Sequence, residues 1–115
     1  SLDPPMVLFC PARSSRSWPR IQQSGRFCVN VLAEDQQDLC LRFATPEVDK
    51  FEGIGWQPTA WGPALDGVLA RVMCEVEAVH RAGDHDVVIG RVHELVTLRE
   101  AAPLVFFRGA FGLDA

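Results

Sequence analysis

A glycine, an acid and an imidazole stand together at the start of an apolar strand, in "AGDHDVVIGRV" at residues 82–92. Gly83 supplies a free backbone φ, and the Asp84 side chain can bond to its own backbone, so these two residues predict a turn. His85 follows them directly and adds a group that can hold a polar ligand. The segment therefore predicts either a plain turn or a corner that faces a ligand.

A second polar segment is "ARSSRSWPRI" at residues 12–21, where two arginines and three serines precede a predicted helix. The free N–H groups and the positive dipole end of a helix attract phosphate at such a position. Arg13, Ser15 and Ser17 alternate, so they face one side of an extended loop. The pattern predicts a phosphate cradle for a nucleotide cofactor, although a solvated capping loop explains this motif alone about as well. It is neither a Walker loop nor a dinucleotide GxGxxG motif.

A polar residue, Asn30, interrupts the apolar strand "RFCVNVL" at residues 26–32. A buried amide must find hydrogen-bond partners. Those partners are either backbone groups or the edge of a flat heterocycle, and the sequence leaves both open.

The histidines and cysteines do not have the spacing of a metal site. His80, His85 and His93 are irregularly spaced, and no two cysteines form a CxxC pair, so we expect no metal. The cysteines are expected to be free, buried thiols, although a disulfide stays possible. They are Cys10, Cys28, Cys40 and Cys74.

The composition predicts one globular domain, which we place at residues 1–115. Apolar residues make up 48% of the chain, more than a disordered chain contains. The net charge of −4 argues against nucleic acid as the main partner, since phosphate binding requires a basic face. No apolar run reaches the roughly 20 residues of a membrane span, and no signal segment opens the chain. We therefore expect a cytoplasmic protein that binds neither nucleic acid nor membrane.

Apolar patterning predicts mainly strands, with two short helices. One helix lies between a cap residue, Ser17, and a stop residue, Gly25. The other covers residues 34–43 and has an acidic first turn. Further segments are strands at residues 6–10 and 26–32, a last apolar strand plus a tail within residues 103–112, and an aromatic-rich loop at residues 44–67.

Two long strands are predicted to form a hairpin. Residues 70–80 alternate apolar and polar side chains, and residues 85–98 follow after the Gly-Asp corner. Gly90, inside the second strand, indicates a bulge or a close backbone approach. Antiparallel strands of this kind favour a small closed or half-closed β-barrel, which removes exposed edges. About five strands are too few to close one, so we expect N-terminal sequence to be missing.

Six segments occur in order along the chain: "SLDPPMVLFC", "SRSW", "SGRFCVNVLAEDQ", "DKFEGIGW", "AGDHDVVIGRV" and "PLVFFRGAFG". This ordered set resembles the flavin reductase-like family. The resemblance implies an antiparallel, Greek-key split β-barrel of the FMN-binding type, mainly β with two short helices, here lacking an N-terminal strand–helix–strand unit. More narrowly, the chain resembles the small reductase components of two-component flavin-dependent monooxygenases, in particular the reductase partners of bacterial steroid-ring hydroxylases.

The resemblance implies which residues contact the flavin. Arg13, Ser15 and Ser17 match a basic-x-Ser-x-Ser/Thr loop that binds the flavin phosphate. The other implied flavin contacts are Ser1, Cys10, Pro11 and Ala12, followed by Phe27, Cys28, Val29 and Asn30.

The resemblance also implies a nicotinamide site. Gly83, Asp84 and His85 match a corner associated with NADH, and His85 is the candidate catalytic residue. Phe111 matches an aromatic residue close to the nicotinamide. The hydride would pass to the flavin ring over roughly 3–3.5 Å, with the cofactors doing the chemistry and the protein orienting them.

The implied function is that of an NAD(P)H:flavin oxidoreductase, an enzyme that reduces free FMN or FAD and supplies it to a separate oxygenase. The absence of an Arg or Lys cluster for a 2′-phosphate favours NADH, and the resemblance implies a homodimer. The sequence does not distinguish FMN from FAD, and it does not identify the oxygenase. The alternatives are a non-catalytic flavin- or haem-binding split-barrel protein and a truncated dimerisation module.

Overall fold

The computed structural model describes residues 1–46 and 48–112. Glu47, in the predicted loop, and residues 113–115, at the end of the predicted domain, lie outside the described residues. The chain divides into two structural units. The first unit comprises Ser1–Val29, Thr59–Gly62 and Val72–Leu95, and the second comprises Asn30–Pro58, Pro63–Arg71 and the described part of Val96–Ala115.

Two α-helices and eight β-strands form within the described residues. No helix in this part of the chain is long and apolar enough to cross a bilayer. The helices are α1 (Trp18–Ser24) and α2 (Gln37–Ala44). The strands are β1 (Met6–Phe9), β2 (Arg26–Val31), β3 (Trp56–Thr59), β4 (Gly62–Leu65), β5 (Ala70–Ala82), β6 (His85–Thr97), β7 (Phe106–Phe107) and β8 (Ala110–Phe111).

The largest sheet has four strands in the order β1-β6-β5-β2. β1 and β6 are antiparallel, and Met6 lies opposite Arg91. β5 and β6 are joined by a turn at Gly83 and Asp84, where Gly83 has a φ of 64°, a conformation that favours glycine. The predicted hairpin is therefore confirmed, and its turn carries the Gly-Asp-His corner.

An apolar core in the first unit holds α1 against the sheet strands. Phe27, Val72 and Cys74 are buried in it, and Ile21 of α1 packs against them. A Cβ at Gly90 would lie 2.5 Å from the Phe27 Cζ atom, so a side chain there would displace the ring. The close backbone approach predicted at Gly90 is confirmed.

The second unit has its own buried residues and a short hairpin, β7–β8, while β3 and β4 pair with each other in a separate two-stranded sheet. Arg108 and Gly109, between β7 and β8, have φ values of 52° and 75° and reverse the chain. The strand and tail predicted within residues 103–112 are instead two short paired strands, so that prediction is wrong. The buried residues of this unit are Ala33, Ala64, Leu65 and Val68.

Two other predicted bounds differ from the structure. α2 begins at Gln37 and not at residue 34, because Gln36 forms a local turn with Ala33. The Ala33 N–H donates to the Gln36 side-chain oxygen at 2.9 Å, and the Gln36 N–H donates to the Ala33 carbonyl at 3.0 Å. The predicted loop at residues 44–67 contains β3 and β4, whose prolines are typical of loops or edge strands.

The four cysteines are free but differ in burial. Cys74 is buried, Cys28 and Cys40 are half-buried, and Cys10 is exposed, so the predicted burial is wrong for Cys10. Burial raises the pKa of the Cys74 thiol to about 11, and the neighbouring Cys28 adds to the shift. Cys74 is therefore a core residue that stays protonated at neutral pH.

Candidate functional site

A short antiparallel pairing joins the two polar segments that the sequence singles out. The Arg13 N–H donates to the Asp84 carbonyl at 2.9 Å, and Ala12 forms a β-bridge with His85. Both segments belong to the first unit. The predicted phosphate loop and the predicted nicotinamide corner therefore lie side by side.

The Gly-Asp-His corner holds an exposed histidine–carboxylate pair. His85 Nδ1 lies 2.7 Å from Asp84 Oδ1, and the two side chains are 46% and 96% exposed. The hydrogen bond from His85, and secondly its charge, hold the pKa of Asp84 below its usual value. The pair directs Nδ1 toward Asp84 and leaves Nε2 as the ring nitrogen available to a ligand.

The Arg-Ser loop presents several donors to solvent. The Ser15 and Ser17 hydroxyl oxygens lie 3.2 Å apart, and the Ser15 N–H closes a turn onto the Ala12 carbonyl at 2.9 Å. Within residues 1–46 and 48–112, the exposed Arg13 guanidinium has no hydrogen-bond or ion-pair partner. Ser17 precedes α1, but its side chain makes no capping hydrogen bond. A guanidinium and two hydroxyls on one loop are a donor set that fits a phosphate group.

The other predicted flavin contacts near the start of the chain have different exposures. Ser1 and Cys10 are exposed, and Pro11 and Ala12 are half-buried beside the pairing with the corner. The Ser1 carbonyl accepts a hydrogen bond from the Met6 N–H at 3.0 Å. Contact of these residues with a flavin stays a prediction.

The predicted contacts on β2 lie on an edge strand of the four-stranded sheet. Phe27 is only 5% exposed and belongs to the core, where its ring lies 4.9 Å from that of Phe9. Cys28 and Val29 are half-buried. Contact between Phe27 and a flavin would therefore involve its backbone, whereas the side chain supports the sheet.

Asn30 belongs to the second unit and satisfies its amide on the backbone of β4. Its Nδ2 donates to the Pro63 carbonyl at 3.1 Å, and its Oδ1 accepts from the Leu65 N–H at 3.0 Å. These bonds agree with the structural interpretation of a polar residue in an apolar strand. A role for Asn30 toward a flavin stays a prediction.

Phe111, also in the second unit, lies at the wall of an open cavity of about 620 Å³. Its ring meets that of Phe106 edge to face, with centroids 5.2 Å apart. Leu104 and Val105 add apolar surface, and Asp35 adds a carboxylate. The wall of this open cavity is therefore partly apolar and partly acidic.

Sequence reasoning missed two residues next to this site. Trp18 and Asp86 are both buried, and the Trp18 Nε1–H donates to Asp86 Oδ2 at 2.8 Å. The sequence signal that could have indicated this pair is Asp86 itself, an acidic residue directly after His85 at the start of an apolar strand. Among the described residues, no three His, Cys, Asp or Glu side chains are grouped so that they could hold a metal ion.

Comparisons with known proteins identify similar chains. The model of the flavin reductase like domain family matches residues 1–112. The chain is 54% identical over 112 residues to HsaB, the reductase subunit of a flavin-dependent monooxygenase of Rhodococcus jostii. That match covers 96% of this chain and 57% of the relative, so the chain spans less than two thirds of the relative's length.

Two solved structures have closely similar backbones. Nitrilotriacetate monooxygenase component B from Mycobacterium thermoresistibile matches with a TM-score of 0.90 and 53% identity, over 97% of this chain and 64% of that one. A second match is the NADH:FAD oxidoreductase SgcE6 of Streptomyces globisporus, in complex with NAD and FAD fragments. Its TM-score is 0.91 and its identity 27%, over 100% of this chain and 71% of that one. These matches confirm the predicted fold class, the mainly β, antiparallel split barrel with two short helices.

Proposed function

The chain belongs to the flavin reductase-like family, and we propose that it is an NADH-dependent flavin reductase acting on FMN or FAD. In this proposal the reduced flavin passes to a separate monooxygenase component. The name of the similar oxidoreductase SgcE6, an NADH:FAD oxidoreductase, supports the use of NADH and flavin. The name of the similar protein HsaB, a reductase subunit of a flavin-dependent monooxygenase, supports the transfer of reduced flavin to an oxygenase.

The observation that carries the proposal is the pairing of Arg13 with Asp84 at 2.9 Å. Hydride transfer requires the two reacting atoms to lie about 3–3.5 Å apart. Because the two segments are neighbours, a flavin held through its phosphate at the loop and a nicotinamide held at the corner can meet in one site. The pairing supports one site for both nucleotides.

At the flavin end, the loop supplies the phosphate contacts. Arg13 forms a charge-assisted hydrogen bond with the phosphate, and the Ser15 and Ser17 hydroxyls donate to its other oxygens. The unpartnered guanidinium supports this role because its donors need no rearrangement. The remaining proposed flavin contacts are Ser1, Cys10, Pro11 and Ala12, and on β2 Phe27, Cys28, Val29 and Asn30.

At the nicotinamide end, His85 is the proposed catalytic residue. Bound NADH supplies the hydride and bound flavin accepts it, so the protein contributes binding, orientation and electrostatics. Asp84 holds the imidazole by Nδ1, and Nε2 is free to orient the carboxamide or to neutralise phosphate charge. Gly83 provides the turn that places this pair. For Phe111, the family resemblance alone supports a position beside the nicotinamide.

We also propose that the protein is a cytoplasmic homodimer. Phe106 and Phe107 are 66% and 52% exposed, and an exposed aromatic pair favours contact with another protein surface. Four free cysteines are typical of a reducing compartment. Sedimentation equilibrium with and without Phe106→Ser tests the dimer.

Oxidation of NADH, measured with FMN and then with FAD, tests the proposed activity. His85→Ala is expected to lower kcat/KM for NADH about tenfold to hundredfold, because the nicotinamide loses its orienting group. His93→Ala is the matched control, since His93 lies on the same strand as His85 and forms a similar exposed pair, at 2.9 Å, with Glu75 of β5. Flavin binding without NADH oxidation would contradict the reductase and favour a non-catalytic flavin-binding protein. Equal losses in both variants would contradict the role of His85.

A further inference from the structure

A buried hydrogen bond ties the start of α1 to the start of β6. The Trp18 Nε1–H donates to Asp86 Oδ2 at 2.8 Å, although the two residues are 68 positions apart. Trp18 is 2% exposed and Asp86 is 8% exposed. Asp86 is the one polar or charged residue buried within residues 1–46 and 48–112. Because a buried carboxylate is costly even when it is bonded, packing alone does not account for it.

The same aspartate is also fixed through its backbone. The Asp86 N–H donates to the Pro11 carbonyl at 3.0 Å, within the pairing that joins the two polar segments. The loop Arg13–Ser17 leaves that pairing and ends at Trp18, whose side chain returns to Asp86. Both ends of the phosphate loop are therefore attached to the strand that carries His85.

The two neighbouring residues at the start of β6 point in opposite directions. Side chains alternate along a strand, so His85 is exposed while Asp86 faces inward. The Trp18 indole is held by an edge-to-face contact with Phe9, with centroids 5.9 Å apart. An inward anchor at Asp86 thus fixes the backbone from which His85 projects.

We propose that Asp86 is a positioning residue, which holds the loop Arg13–Ser17 in register with His85 through its hydrogen bond to Trp18. This inference rests on the proposed flavin and NADH binding. It assigns no contact between Asp86 and either nucleotide. Its consequence is that the affinity for the flavin phosphate depends on a buried bond behind the loop.

Three substitutions separate this role from simple packing. Asp86→Leu removes the hydrogen-bond acceptor, and Trp18→Phe removes the donor but keeps an aromatic ring. Each substitution is expected to raise the Kd for FMN about tenfold. The Kd is measured by flavin fluorescence without NADH. Asp86→Asn keeps a carbonyl acceptor and is expected to retain a Kd near that of the unsubstituted chain. Arg91 lies on the same strand as Asp86 and forms an exposed pair with Glu77 of β5, so Arg91→Leu is the matched control and should leave the Kd unchanged.

Amide hydrogen exchange without nucleotide tests the anchor separately from flavin binding. In Asp86→Leu and Trp18→Phe, the backbone amides at positions 13 and 86 are expected to exchange faster. The Val92 amide, which donates to the Pro5 carbonyl, is the control and is expected to keep its rate. If a single variant unfolds, the double variant removes both polar partners and is expected to fold with the same fast exchange.

Unchanged exchange at Arg13 in the folded variants would overturn the proposal. Equal weakening of FMN binding by Asp86→Asn and Asp86→Leu would also overturn it, since the acceptor would then be irrelevant. Failure of the unsubstituted chain to bind FMN would instead count against the proposed function, and the exchange data would still decide whether Asp86 anchors the loop.

Discussion

The backbone N–H of Arg13 donates a hydrogen bond of 2.9 Å to the carbonyl oxygen of Asp84. This bond joins the loop that carries Ser15 and Ser17 to the corner that carries His85. The two segments are distant in sequence and carry different chemistry, one suited to phosphate and the other to a polar heterocycle. Their pairing lets a small unit present both sets of groups at one place.

Removal of the Arg13 guanidinium tests the phosphate half of the site. Arg13→Ala is expected to weaken FMN binding about tenfold to hundredfold, because a hydrogen bond to a charged group contributes about 1.5–3 kcal/mol. Quenching of flavin fluorescence gives the Kd. Riboflavin, which lacks the phosphate, is the control ligand, and its Kd should not change. An equal loss of affinity for both flavins would contradict the assignment of Arg13 to the phosphate.

The hydrogen bond from His85 predicts a pKa change at Asp84 when His85 is replaced. The hydrogen bond from His85 lowers the pKa of Asp84, so His85→Ala is expected to raise that pKa toward its usual value. The pair contributes to folding stability at pH values above the usual pKa of an aspartate. This contribution is lost as the pH falls through the lowered pKa of Asp84. Carboxyl carbon chemical shifts measure the change. Asp35, whose pKa is lowered mainly by its hydrogen bond from Arg99, is the internal control and should not shift.

The close contact at Gly90 predicts a cost in stability. Gly90→Ala places a Cβ 2.5 Å from the Phe27 ring and is expected to lower the free energy of unfolding by about 1–3 kcal/mol. Urea denaturation measures the loss. Phe27→Leu shortens the opposing side chain, so the double variant should lose less than the sum of the two single variants. Additive losses would contradict a direct clash.

The buried Cys74 thiol predicts a decrease in stability at alkaline pH. Its pKa in the folded protein is about 11, above the ordinary value of 9.0 that applies after unfolding. Between these values the unfolded chain releases a proton that the folded chain keeps, so the free energy of unfolding falls as the pH rises, by at most about 3 kcal/mol.

This decrease is measurable because the chain has no tyrosine and a single lysine, Lys50, that would titrate nearby. Urea denaturation from pH 8 to pH 11 is expected to show a steeper decline in the unsubstituted chain than in Cys74→Ala. Parallel declines in the two proteins would contradict the raised pKa.

Local patterns in the sequence predict the elements that frame the site. Alternating side chains and the Gly83 turn predict the β5–β6 hairpin, and Ser17 and Gly25 bracket α1, because these signals act between near neighbours. The chain reversal at Arg108 was missed, because an arginine seldom adopts a positive φ. The pattern alone also gave no sign of β3 and β4, whose sequences are typical of loops.

Long-range contacts are the part that the sequence does not predict. The Trp18–Asp86 bond joins residues 68 positions apart, and it depends on a strand order that periodicity does not encode. The hydrogen bonds of Asn30 could not be predicted either, since its partners on β4 lie in a segment predicted as loop. The roles of individual site residues came from the family resemblance and not from their spacing.

Reduction of bound flavin by NADH without oxygen tests the proposed reductase activity most directly. The chain is mixed anaerobically with equimolar flavin and NADH, and the absorbance of oxidised flavin is followed over a single turnover. We expect bleaching that slows with NADH deuterated at the transferred position and slows strongly in His85→Ala but not in His93→Ala. Flavin that is bound yet stays oxidised in the presence of NADH would contradict the proposed activity.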